Sequence, residues 1–184
     1  MVRRYNRAVH VLKIVDRSLT ARLQHQPVRL KPLMAAMARV GSPSVVVCVG
    51  ALAACLFLVD AQLSLALGYG LASMALLLNT AIKFSVRRER PVTVYSRSMK
   101  YRTYSFPSGH TFGSTVVFGM FAVAALSAGG MNSYFIAGFM VALIGLIGYS
   151  RVYVGAHYVS DVVGGWVIGA FVLLLIQLLL GVVS

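Results

Sequence analysis

The sequence predicts an all-α fold: a polytopic membrane helical bundle of about five transmembrane helices, with amphipathic helices at its N-terminus. Three observations predict it. Five apolar runs fill most of residues 44–183. Only 11% of the 184 residues are charged, against about 25% in an ordinary soluble domain, and the mean hydropathy is +0.81. The cations are confined to a few polar stretches between and before the runs.

The runs cover residues 44–59, 63–82, 111–126, 134–149 and 162–183. A helix needs about 20 residues to cross the hydrocarbon layer, within a range of about 17 to 25. The first, third and fourth runs are short, so each is expected to extend into its flanks. Their glycines and alanines suit close helix packing in lipid, as does Gly164-Gly165 in the fifth. A soluble bundle is excluded, because five such runs leave almost nothing for a polar exterior. Cys48 and Cys55 lie about 10 Å apart along a helix, beyond disulfide reach, and are read as small packing residues.

Residues 1–43 form a separate basic amphipathic interfacial segment ahead of the transmembrane helical domain, 44–184. Val11, Leu12, Val15, Leu19 and Leu23 recur at helical spacing, with Lys13, Asp16 and Arg17 elsewhere on the wheel. Leu30, Leu33, Met34 and Met37 repeat the pattern after Gln26-Pro27. Basic amphipathic helices of this kind lie in the headgroup layer; packing against the bundle satisfies the same pattern. The basic start has no continuous apolar core of signal-peptide length. A short chain without a eukaryotic targeting signal points to a bacterial plasma membrane.

The formal charge is +13, from 17 Lys and Arg against 4 Asp and Glu. Nucleic acid is not the expected partner, because cations flanking spans follow from topology alone. With five spans, residues 1–43, the 83–111 loop and the 150–161 connection share one face. Nine cations lie in the first, seven in the second and one, Arg151, in the third. The short connections on the other face have none. The positive-inside rule places the cation-bearing face in the cytoplasm.

Three polar stretches on that face stand out: Lys83-x6-Arg90-Pro91, Pro107-Ser108-Gly109-His110 and Ser150-Arg151-x5-His157-x3-Asp161. Asp161 borders the last apolar run, where an acid is costly unless partnered and marks a functional site by default. His157 lies four residues earlier, so both project from one side of a helix start. An aspartate that accepts from one imidazole nitrogen fixes the tautomer and frees the other; a capping pair has the same spacing. His110 follows Ser108-Gly109 at a helix start, where free N–H groups favour anions. Ser108 adds a hydroxyl donor, and Gly109 lets the backbone approach closely. Lys83 and Arg90 align on one helix face if the second span continues to Pro91, which then ends it. With Arg151 they complement phosphate oxygens. Arg87, Arg88, Arg97, Lys100 and Arg102 are read as topogenic or snorkelling residues.

In this order and spacing, the three motifs resemble those of the type-2 phosphatidic acid phosphatase family of membrane lipid phosphatases, and of its soluble relatives, the vanadium haloperoxidases. All eleven motif positions match, and the resemblance covers roughly residues 41–184. One departure is that many members have six spans, whereas here an amphipathic segment takes the place of the first. The resemblance implies a membrane-bound hydrolase that cleaves a lipid phosphate through a phosphohistidine intermediate. His157 would be the nucleophile, oriented by Asp161, and His110 the general acid and then base. Lys83, Arg90, Arg151, Ser108 and Gly109 would hold the phosphoryl oxygens. No cofactor or metal is implied, and the sequence has no Asp/Glu/His cluster of the kind that holds magnesium or zinc. The implied partners are the bilayer and a membrane lipid phosphate: phosphatidate, phosphatidylglycerophosphate or undecaprenyl diphosphate. Competing readings are a lipid phosphotransferase using the same site and a non-catalytic membrane scaffold.

Overall fold

Each of the five apolar runs forms a helix. The computed structural model describes residues 2–24, 28–99 and 103–181, with side chains from residue 13 onward. Among these residues the order is α1 (Val2–Gln24), a 3₁₀ turn (Val28–Leu30), α2 (Lys31–Val40), α3 (Pro43–Val59), α4 (Leu63–Val86), α5 (Val94–Ser98), α6 (Gly109–Ala128), α7 (Met131–Tyr153) and α8 (Val159–Leu180). The Gln26-Pro27 break lies outside the described residues.

Helices α4, α6, α7 and α8, of 24, 20, 23 and 22 residues, are long and apolar enough to cross a membrane. The first run behaves differently from expectation. It gains only Pro43, giving a helix of 17 residues. The segment Val28–Val40 joins it at an angle of 51°, so a fifth crossing exists only if this bent pair is one span, and it is not one lengthened helix. Ser42 is extended and Pro43 occupies the first turn of α3, which explains the break: proline disfavours helical geometry in the residue before it.

Helix α6 is the centre of the bundle. Twelve of its residues are buried, including Thr111, Phe112, Ser114, Thr115, Val116 and Met120. It packs against α3, α4, α7 and α8. Its approach to α8 is close at two glycines. A Cβ on Gly169 would lie 2.9 Å from Thr115 Cβ and 3.1 Å from Phe112 O; one on Gly165 would lie 2.9 Å from Thr111 Cβ. Large apolar side chains such as Leu52, Leu77, Phe139 and Leu178 point outward along the spans, as lipid-facing residues do. Cys48 and Cys55 are free and also exposed, so they are not the interior packing residues expected.

Helix α1 turns an unexpected face to the protein. Val15 and Leu19 of the apolar stripe are 45% and 43% exposed. Asp16 and Thr20 point inward: Thr20 Oγ1 accepts from the Val159 N–H at 3.1 Å and Asp16 Oδ1 from the Ser160 N–H at 3.0 Å. Val159 and Ser160 open α8, whose first N–H groups have no partner within the helix. The polar side of α1 therefore caps α8, and the apolar side faces away.

Candidate active site

The C-terminal ends of α4 and α7 meet the N-terminal ends of α6 and α8 at one end of the bundle. The joints are explicit. Ser108, the N-cap of α6, donates its N–H to the Asp161 carbonyl of α8 at 3.0 Å. The N–H groups of Ala156 and His157 both reach the Arg151 carbonyl at the end of α7. Lys83, in the last turn of α4, donates from Nζ to the Tyr104 carbonyl at 2.8 Å.

Asp161 is fully buried. Its Oδ1 accepts from Arg88 Nη1 at 2.7 Å. Its Oδ2 accepts a short hydrogen bond from the Ser105 hydroxyl and one from the Tyr158 N–H at 2.9 Å, and faces His157 Nδ1 at 3.5 Å. On the other side of the ring, Arg90 Nη1 donates toward His157 Nε2 at 3.1 Å and to the Ala156 carbonyl at 2.9 Å. Guanidinium nitrogens have no acceptor capacity, so Nε2 must carry the lone pair and Nδ1 the proton. Burial holds the His157 pKa down to about 3, and Arg90 and Lys83 add to the effect against the opposing pull of Asp161. The ring is therefore neutral, with Nε2 as its free base. Burial likewise lowers the Arg90 pKa, helped by Arg151.

Arg151 is 1% exposed, yet its Nε and Nη1 have no hydrogen-bond partner among the described residues. Its guanidinium sits 5.6 Å from the Tyr95 ring centroid. Buried N–H groups left without an acceptor are costly, and Arg151 has these two without one among the described residues. It shares with His110 a cavity of about 620 Å³, also lined by Arg39, Ser42, Tyr95 and Val154. The cations that act on His110 are Arg151, Arg90 and Lys83, and the His157 ring also lies near it. Gly109 lies against Lys83: a Cβ there would be 3.9 Å from Lys83 Cε and 3.2 Å from Asn79 Oδ1. Ser108 is buried and accepts from the Thr111 hydroxyl at 3.0 Å.

All eight residues singled out in the sequence, Lys83, Arg90, Ser108, Gly109, His110, Arg151, His157 and Asp161, thus lie around this end of the bundle. Two local readings are corrected. Helix α4 stops at Val86, because Arg87 takes a left-handed conformation with φ 51°. Lys83 and Arg90 therefore do not share a helix face; they converge because both bind the chain at 103–105, where Arg90 Nε reaches the Thr103 carbonyl at 2.8 Å. His157 and Asp161 are likewise not two rungs of one helix. His157 precedes α8, and Asp161 folds back from its first turn to cap Tyr158.

Two residues escaped the sequence reading. Arg88 is bound to Asp161 rather than being merely topogenic. Ser105, two residues before Pro107, was not singled out; a hydroxyl beside a motif was its only signal. Arg87 and Arg97 remain exposed, and Lys100 and Arg102 lie outside the described residues.

The fold and this buried, cation-rich cluster define the class: a helical membrane protein whose polar site lies at one end of its spans. The chain belongs to the PAP2 superfamily, whose family model matches residues 61–181. It is 34% identical over 107 residues to phosphatidylglycerophosphatase B of Bacillus subtilis strain 168, covering 55% of this chain and 50% of that protein. It is 33% identical over 103 residues to the undecaprenyl-diphosphatase of Sulfolobus acidocaldarius, covering 54% and 47%. The matches thus span about half the length of these curated relatives. Among solved structures, the transmembrane PAP2-type phosphatidylglycerolphosphate phosphatase of Bacillus subtilis superposes with a TM-score of 0.71 at 22% identity, covering 92% of this chain and 86% of that one. LpxE of Aquifex aeolicus superposes with a TM-score of 0.63 at 19% identity, covering 87% and 93%. At these identities the likeness is one of fold.

Proposed function

We propose that the protein is a metal-independent lipid phosphate phosphatase working through a phosphohistidine. The observation that carries this reading is the buried Arg151 guanidinium, whose Nε and Nη1 have no hydrogen-bond partner among the described residues, at the same end of the bundle as a neutral imidazole whose Nε2 lone pair is held by Arg90. His157 Nε2 attacks phosphorus, the bond to the lipid oxygen breaks, and His110 gives that oxygen its proton. Water then attacks the phosphohistidine, His110 takes a proton from it, and the P–N bond breaks to release phosphate. Asp161 keeps the proton on Nδ1. Lys83, Arg90 and Arg151, with Ser108 and the Gly109 N–H, surround the equatorial oxygens. Phosphoryl transfer is catalysed mostly by such positioning and charge stabilisation, and proton transfer by His110 contributes about 10² to 10⁴ in rate.

The substrate is a monoester or diphosphate of a membrane lipid: phosphatidate, phosphatidylglycerophosphate or a polyprenyl diphosphate such as undecaprenyl diphosphate. The names of the two curated relatives support the last two. The site faces the cytoplasm of a plasma membrane, on the strength of the cation count. Residues 1–43 lie in the headgroup layer, a placement that the outward apolar side of α1 supports.

Phosphate release by purified protein in detergent with EDTA, wild type beside His157→Ala, tests the reading. Phosphatidate, phosphatidylglycerophosphate and undecaprenyl diphosphate are offered in parallel. Release that survives EDTA and vanishes in the variant is expected. A requirement for added metal, or release undiminished in His157→Ala, would overturn the mechanism.

A further inference from the structure

We infer that Asp16 and Arg88 form a positioning pair through which the N-terminal helix holds Asp161, and thereby His157, in its working orientation. The inference rests on the phosphatase reading for its kinetic readout and on the geometry for the rest.

A carboxylate with all its donors on one oxygen can rotate about its Cβ–Cγ bond. In Asp161 three donors face Oδ2: Ser105, the Tyr158 N–H and His157 Nδ1. The donor on Oδ1 is Arg88 Nη1, at 2.7 Å. Arg88 therefore decides which oxygen the imidazole meets. Its side chain is 29% exposed and long, so it needs a second anchor to stay put. Asp16 is that anchor: its Oδ2 accepts from Arg88 Nη2 at 2.6 Å. The same carboxylate binds Ser160 twice, through the N–H at 3.0 Å and the hydroxyl at 2.6 Å. The Ser160 hydroxyl also accepts from Arg88 Nη1 at 2.6 Å. The Arg88 guanidinium lies 4.4 Å from the Tyr158 ring centroid, a cation–π distance. The guanidinium is thus held by Asp16, Ser160 and the Tyr158 face at once, with its remaining contact directed at Asp161.

Asp16 touches neither His157 nor the cavity at His110. It acts at one remove, through Arg88 and the first turn of α8. Its helix caps that turn at two successive N–H groups, and its outer side is apolar and exposed. The segment outside the family match, residues 1–60, thereby supplies a positioning residue for the site.

The test is kinetic and spectroscopic. Turnover of phosphatidylglycerophosphate in detergent micelles and inhibition by orthovanadate are measured for wild type, Asp16→Ala, Arg88→Ala and the double variant. Arg88→Ala should lower kcat about a hundredfold and Asp16→Ala about tenfold, the range of positioning effects on proton-transfer and nucleophilic groups. KM and the vanadate inhibition constant should stay within about twofold, because Lys83, Arg90 and Arg151 are untouched. The double variant should be no worse than Arg88→Ala, the mark of residues acting through one another. Asp16→Asn keeps an oxygen to accept from the Ser160 N–H but puts an amide donor where Oδ2 accepted from Arg88, and serves if Asp16→Ala does not fold; it should lower kcat severalfold. Independently of turnover, ¹⁵N-labelled histidine should report a single Nδ1-protonated tautomer for His157 in wild type and a mixture in the variants. A wild-type kcat and an unchanged tautomer in Asp16→Ala would overturn the pair, as would additive losses or equal losses in kcat and vanadate affinity. A wild type that releases no phosphate from any lipid would instead strike the phosphatase reading, and the tautomer spectrum alone would then decide the pair.

Discussion

Nη1 of Arg90 stands 3.1 Å from Nε2 of His157, so a guanidinium occupies the position from which the imidazole lone pair would attack. Arg90 thereby shields the Nε2 lone pair from protonation, and on the proposed mechanism an arriving phosphoryl oxygen would compete for the same guanidinium. Burial reinforces the shielding by holding the His157 pKa down to about 3 from the ordinary 6.5.

The sign of the resulting pH dependence is fixed. Below pH 6.5 the unfolded chain takes up a proton at His157 that the folded chain refuses, so stability falls as pH drops from 6.5 toward 3. Between pH 7 and pH 5 the wild type should lose roughly 2 kcal/mol more than His157→Gln, at about 1.4 kcal/mol per pH unit below 6.5. Thermal unfolding in detergent at the two pH values measures the difference; equal losses would contradict it.

Arg151 predicts a conflict between stability and function. Replacing buried ionic groups with well-packed apolar side chains of similar volume is often neutral or stabilising, by up to about 1–4 kcal/mol, and two of the Arg151 nitrogens have no partner to lose among the described residues. Arg151→Met should therefore unfold at a higher temperature than wild type in phosphate-free buffer. Orthovanadate should stabilise the wild type, by about 2.7 kcal/mol at a hundred times its dissociation constant, and leave the variant unmoved. The variant should also lose about 10² to 10³ in kcat, the usual loss when one stabilising donor is removed.

Ser105 donates to the same Asp161 oxygen that faces His157. Hydrogen bonds to charged groups contribute about 1.5–3 kcal/mol. Ser105→Ala should lower kcat about tenfold or more, each 1.4 kcal/mol being a factor of about ten, while KM changes little. A loss confined to KM would mean that Ser105 serves substrate binding instead.

Gly169 tests the packing beneath the site. A methyl group there meets Thr115 Cβ at 2.9 Å and the Phe112 carbonyl at 3.1 Å, and backbone cannot move aside as a flexible side chain can. Gly169→Ala should cost about 1–3 kcal/mol, as overpacking does. Gly138→Ala on α7, where nothing lies within 4 Å, should be neutral or slightly stabilising. Comparison of the two melting temperatures checks the prediction.

The helices, and the gathering of the eight singled-out residues at one end of the bundle, were legible because lipid imposes a simple grammar. Apolar length marks a span, and a polar residue at its edge needs a reason. Lys83, His110, Arg151 and Asp161 stand out against such a background. Arg88 did not, because four other cations in the same loop, Arg87, Arg97, Lys100 and Arg102, fit the topology rule equally well; only its partner 73 residues away distinguishes it. The end of α4 was hidden for a related reason. Pro91 is the obvious stop, but the left-handed turn at Arg87 acts four residues sooner. Helix α1 was read as amphipathic, and it is, but the pattern does not say which side meets protein. Asp16 and Thr20 face inward because the opening turn of α8 has N–H groups to satisfy, a need invisible in α1 itself.

The glycine seam between α6 and α8 has a consequence for traffic. With backbone almost touching backbone, that flank of the protein offers no crevice through which an acyl chain could slide, and no slack in which the His110 and Asp161 motifs could drift apart. On the proposed function, lipid would reach the site through the cavity before Arg151, which α2, the start of α3 and the Tyr95 ring border. If that cavity is the doorway, changes that widen or narrow substrate choice should accumulate around residues 35–45 and 95, and changes that alter the rate of the chemistry should not.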